Sequence, residues 1–152
     1  MRNLSTPFIL ALAVIATRLP FVSRYLFNID SVQFALATGK FDIALHQPHP
    51  PGYFLYVMMG RFVLMFTKDE NTAFVTISIV FSALTVIGIY YLAKELFDKE
   101  SAVAAAAIAI TSPIFWLHGE IALSYVPEAF MSVFFAYICL RISKGNNRLR
   151  HV

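Results

Sequence analysis

Residues 72–93 read TAFVTISIVFSALTVIGIYYLA, an uncharged run of about 22 residues, the length a helix needs to cross a bilayer. Of the apolar runs in the chain it is the surest span. The rest of the chain agrees. Of 152 residues, 59% are hydrophobic and only 14% are charged, and the mean hydropathy is +0.68. Soluble domains carry about 25% charged residues, so the composition is that of a membrane protein. A net charge of +3 without a basic, aromatic-laced stripe argues against a nucleic-acid partner. The single cysteine, Cys139, excludes an intrachain disulfide and a cysteine-based metal site.

Three further runs predict spans. Leu4 to about Tyr25 gives a first one, with Arg18 and Arg24 near its outer end, where long side chains can snorkel. The same run has the outline of a signal peptide, but more apolar runs follow it, and an uncleaved span is expected. Residues 101–117 are uncharged over about 17 positions, the lower limit for a span. Residues 126–141 give the fourth. A fifth candidate, Gly52–Phe66, is only about 15 residues long and is interrupted by Arg61, so it is expected to lie in the outer interface. The basic tail RISKGNNRLRHV and Arg2 place both termini in the cytoplasm by the positive-inside rule, which requires an even number of crossings. The expectation is an all-α membrane protein with about four transmembrane helices, at roughly 4–25, 72–93, 101–117 and 126–141. Outer loops at about 26–71 and 118–127 join them, and five spans are the alternative.

Both outer loops collect polar groups. In the first, NIDSVQFALATGKF (28–41) predicts a short surface helix with Asn28 as N-cap. Ile29, Val32 and Leu36 would face lipid or protein, and Asp30 would share another face with Gln33. Asp30 reads either as a first-turn partner of the helix dipole or as a carboxylate general base. Residues 46–56, HQPHPPGYFLY, hold two histidines among three prolines; X-Pro bonds disfavour helix, so His46 and His49 are expected on a stiff, extended connector beneath that helix. The second loop contributes His118, Glu120 and Glu128. Two imidazoles and a carboxylate are also a conceivable divalent-metal set, with His46, His49 and Glu120 as candidates, although the spacing matches no fixed motif. Tyr53, Tyr56, Trp116 and Tyr125 fit an interfacial aromatic belt.

The order of these parts resembles the GT-C superfamily of integral-membrane glycosyltransferases, which includes protein O-mannosyltransferases and aminoarabinose transferase. The resemblance rests on NIDSVQFALA, HPPGYFLYVMMGRF, YYLAKELFDKE, SPIFWLHGE and YVPEAF, with HPPGY the most specific piece. It covers nearly the whole chain and only the opening part of such an enzyme. It implies juxtamembrane helices in the first outer loop and transfer of a sugar from a polyprenyl- or dolichyl-phosphate donor to an acceptor hydroxyl on the outer face, with inversion. Asp30 falls at the catalytic base position, and Ser31 stands where many members have a second acid. Glu128, with Glu120 as the alternative, takes the place of the acidic residue of the second loop. With these, His46, His49, Gln33, Tyr53 and Arg18 form the expected substrate-binding set, Arg18 as a cation for the lipid phosphate. The rival readings are a non-catalytic small membrane protein, such as a transporter accessory subunit, and an inactive truncated fragment.

Overall fold

The computed structural model describes residues 5–149, with side chains described to residue 145. The described residues form seven α-helices: α1 Ser5–Arg18, α2 Ile29–Gly39, α3 Phe54–Thr67, α4 Glu70–Leu96, α5 Lys99–Thr111, α6 Pro113–His118 and α7 Tyr125–Leu149. Three of them start on the same device. Asn28 Oδ1 accepts from the Ser31 amide at 3.0 Å, Asp69 Oδ2 from Thr72 at 2.7 Å and Asp98 Oδ1 from Ser101 at 2.7 Å. Each cap satisfies one of the amides that a helix start leaves without a partner. At Ser112–Pro113 the chain does the opposite: Ser112 is extended, as the residue before a proline prefers, and Pro113 opens α6.

Helix α4 is the centre of the bundle and packs against α1, α3, α5 and α7. One core lies at its N-terminal half, where Phe34, Tyr56, Val57, Phe74, Ile77 and Ile121 are buried together. A second lies at its C-terminal half, where Val14, Ala83, Val86 and Tyr90 meet Ala102 and Ala106 of α5. These two alanines stand one turn apart and let the α5 backbone come close, as small residues do in membrane helix pairs. Helix α3 comes as close on the other side: a Cβ on Gly60 would lie 2.4 Å from the buried Phe74 ring. Arg61 then ties α3 to α2, donating from Nη2 to the Ala37 carbonyl at 3.0 Å, at the negative end of the α2 dipole.

Among the described residues two helices are long and apolar enough to cross a membrane, Glu70–Leu96 and the Tyr125–Gly145 part of α7. The other expected spans are less regular. The first helix stops at Arg18 and runs on only as a 3₁₀ turn, Leu19–Phe21. The uncharged run 101–117 is divided by the Ser112 break. The fourth begins at Tyr125, which puts Glu128 in its first turn. Gly52–Phe66 becomes the 14-residue α3, about 21 Å long and short of a bilayer's apolar thickness. On α2, Ile29 and Leu36 are exposed, whereas Ser31, Phe34 and Ala37 face the core.

Candidate active site

The local sequence of α2 builds one wall of the site. Asp30 and Phe34 are one turn apart and therefore neighbours on the helix surface. The loop from Lys40 to Tyr53 returns to this face as a tight double turn. Asp42 and Gln47 pair across it, with Asp42 N donating to Gln47 O at 2.6 Å and Gln47 N to Asp42 O at 2.9 Å. The Gln47–Pro48 and Pro50–Pro51 peptides are cis, and Gly52 takes φ +104°, a region open to glycine. The segment is stiff but folded back on itself, not the extended connector expected from its prolines.

This turn delivers His49 to Asp30. Nδ1 of His49 lies 3.7 Å from Asp30 Oδ1. The imidazole ring is held between Phe34, with centroids 5.4 Å apart, and Tyr53, at 5.0 Å. Tyr53 itself has φ 42°, a left-handed conformation uncommon for a bulky residue and one that tends to occur at functional sites. Burial, with the charges of Glu128 and Asp30 near it, raises the Tyr53 hydroxyl above its ordinary value. From Tyr53 a groove of about 950 Å³ runs between α3, α4 and α7. Its walls are apolar, with Met59, Phe62, Phe81, Met131 and Phe135, and its polar groups include Ser124 and Glu128. Ser124 Oγ donates to Glu128 Oε1 at 2.6 Å, which fixes that exposed carboxylate.

Not every expected residue joins this corner. His46 is exposed, at a left-handed cap of the 3₁₀ turn Ile43–Leu45; among the described residues its side chain makes no hydrogen bond or ion pair. Gln33 is half-buried on α2, with Oε1 enclosed and without a partner. Arg18 is not a headgroup cation. It is fully buried, donating to Ile110 O at 3.2 Å and Thr17 Oγ1 at 2.8 Å, with Phe115 5.7 Å from its guanidinium carbon. Glu120 is buried as well, only 3% exposed, and burial pushes its carboxyl up to about 7 against the pull of Arg18. Arg18 Nε and Glu120 Oε1 are each enclosed without a hydrogen-bond partner. Tyr56 belongs to the core rather than to an interfacial belt, at 4% exposure.

The metal set His46, His49 and Glu120 is therefore not assembled. One of its members points to solvent, one faces Asp30 and one is buried beside α1. Among the described residues no group of three His, Cys, Asp or Glu side chains is placed to hold a metal ion. Sequence reasoning missed Ser124 and Phe34 as parts of the corner. Ser124 stands four residues before Glu128 and Phe34 four after Asp30, the helical spacing that could have found both.

Apolar helices of spanning length thus stand beside a corner that holds a carboxylate and an imidazole, with an apolar groove running from Tyr53. The chain belongs to the dolichyl-phosphate-mannose-protein mannosyltransferase family, whose model matches residues 48–150. The matched stretch begins at Pro48, directly before HPPGY, so it includes His49, Tyr53, Glu120 and Glu128, while Arg18, Asp30, Gln33 and His46 precede it. No curated protein and no solved structure matches the chain.

Proposed function

We propose that the chain is the donor-receiving and base-bearing part of a membrane glycosyltransferase. It would move a sugar from a polyprenyl- or dolichyl-phosphate to an acceptor hydroxyl on the outer face. The observation that carries this reading is Tyr53, which belongs at once to the Asp30–His49 corner and to the apolar groove. A lipid-phosphate sugar is an amphiphile, and its two halves need such a junction: an apolar channel for the chain and polar groups where the sugar ends. Glu128, fixed by Ser124, is suited to accept hydrogen bonds from sugar hydroxyls. The Asp30 carboxylate drives deprotonation of the acceptor hydroxyl. The oxygen attacks the anomeric carbon from the side opposite the phosphate, so the configuration inverts and the lipid phosphate leaves.

The test is transfer of mannose from dolichyl-phosphate-mannose to a threonine-containing peptide, by the protein in its native membrane. Asp30→Asn keeps the shape and the dipole contact but loses the charge. Transfer should fall by about 10²–10⁴-fold, the usual range for a general base, with membrane insertion intact. Near-normal transfer overturns the assignment. The same reading puts both termini in the cytoplasm. An impermeant thiol reagent should label a cysteine at Lys68 from outside and miss one at Asn147, and the reverse pattern sinks it.

A further inference from the structure

We propose that Asp30 and His49 work as one acid–base unit, in which His49 Nε2 receives the proton of the acceptor hydroxyl and Asp30 orients and charges the imidazole. The inference rests on the functional reading above and concerns where the proton goes within that site.

Four observations carry it. The two residues approach through a defined pair of atoms, Nδ1 and Oδ1, at 3.7 Å. The approach is on the buried side: Nδ1 is enclosed and lacks a hydrogen-bond partner, whereas Nε2 is not among the enclosed atoms. The ring plane is fixed by Phe34 and Tyr53, so the imidazole cannot rotate freely to another partner. Both side chains are also partly exposed, His49 at 23% and Asp30 at 34%, so the pair is neither sealed off nor free in solvent.

The chemistry follows from the tautomer. A carboxylate accepts hydrogen bonds and cannot donate, so a neutral imidazole facing Asp30 by Nδ1 is best served with its proton on Nδ1. Nε2 then carries the lone pair. The separation is roughly half an ångström beyond a good hydrogen bond, as catalytic contacts without substrate often are. In the reaction the hydroxyl proton moves to Nε2 and the oxygen's electrons form the new bond to the anomeric carbon. The carbon–oxygen bond to phosphate breaks, its electron pair leaving with the lipid phosphate. Asp30 stabilises the imidazolium, which returns its proton to water after the products separate.

The experiment compares variants of the protein in its native membrane, with dolichyl-phosphate-mannose and the threonine peptide as probes. His49→Gln and His49→Phe both retain bulk against Phe34 and Tyr53. Each should lose about 10²–10³-fold in kcat with donor KM changed less than about threefold. Asp30→Asn combined with His49→Gln should be no more than about tenfold slower than the worse single variant, because parts of one unit are not additive. Added imidazole should restore part of the rate lost in His49→Gly and none of that lost in Asp30→Asn. One readout needs no turnover: the ¹⁵N spectrum of labelled histidine should show His49 protonated on Nδ1, and Asp30→Asn should remove that preference. If His49→Gln and His49→Phe retain near-normal kcat while Asp30→Asn is inactive, Asp30 acts alone, and the pair is overturned while the functional reading stands. If all three are near normal, the reading of the corner as a reacting centre falls and the pair falls with it.

Discussion

Two of the places where this molecule brings an acid near a base differ in almost everything else. At one corner, Asp30 and His49 are partly exposed and framed by aromatic rings, one of which, Tyr53, lines the groove. Between α1 and the α6–α7 loop, Arg18 and Glu120 are enclosed, at 0% and 3% exposure. A charge that substrate cannot reach cannot act on it. The second pair sits inside the packing: Arg18 bonds to Ile110 O and Thr17 Oγ1, and the Glu120 carbonyl accepts from Ser23 N at 2.9 Å. It also shows why charge type alone misleads. Both pairs would serve chemistry on paper, and access decides between them.

The contrast can be broken by treating the buried pair as if it were a site. Arg18→Met removes the bonds to Ile110 O and Thr17 Oγ1 and leaves Glu120 without its nearby cation, and should lower the melting temperature. Arg18→Met with Glu120→Leu should recover most of that loss in thermal unfolding in detergent. A double variant no more stable than the single one would mean that the two groups do not feel each other.

Glu120→Gln sharpens the comparison through pH. A carboxyl held above its ordinary range favours the fold while protonated. That contribution is complete below the unfolded value near 4.5 and is lost as pH rises through about 7. Wild-type stability should thus decline across this window relative to Glu120→Gln, which has nothing to titrate there. Parallel melting curves from pH 4.5 to 8 would contradict the buried-carboxyl account. Smaller still is the effect expected at the α3–α4 contact. Gly60→Ala forces a methyl into the Phe74 ring and should cost about 1–3 kcal/mol by overpacking; an unchanged melting temperature would show that α3 can slide away freely.

Much of this was readable in the residues, and the gaps have a common cause. The Asn28 cap on α2 and the long α4 follow from short-range rules that sequence spacing obeys. Depth does not obey them. Arg18 sits at the end of an apolar run whether it snorkels to headgroups or turns inward under Gly119, and only the packing of α4 and α6 selects the second. His46 and His49 are three residues apart with equal claims on the helix above them. The left-handed cap at His46 sends one outward, and no composition rule foretells it.

At the far end of α4, Glu95 is gripped by Arg141 at 2.7 Å and by Lys144, both on α7. A straight helix is a stiff rod, and from Arg141 back to Glu128 it runs about 20 Å at 1.5 Å per residue. Clamping one end of a rod fixes the height of the other. The level at which Glu128 stands against Tyr53 is thus calibrated from the opposite side of the bundle. The packing of α7 on α4 holds the helix, and the two basic clamps mark its register from the end opposite Glu128.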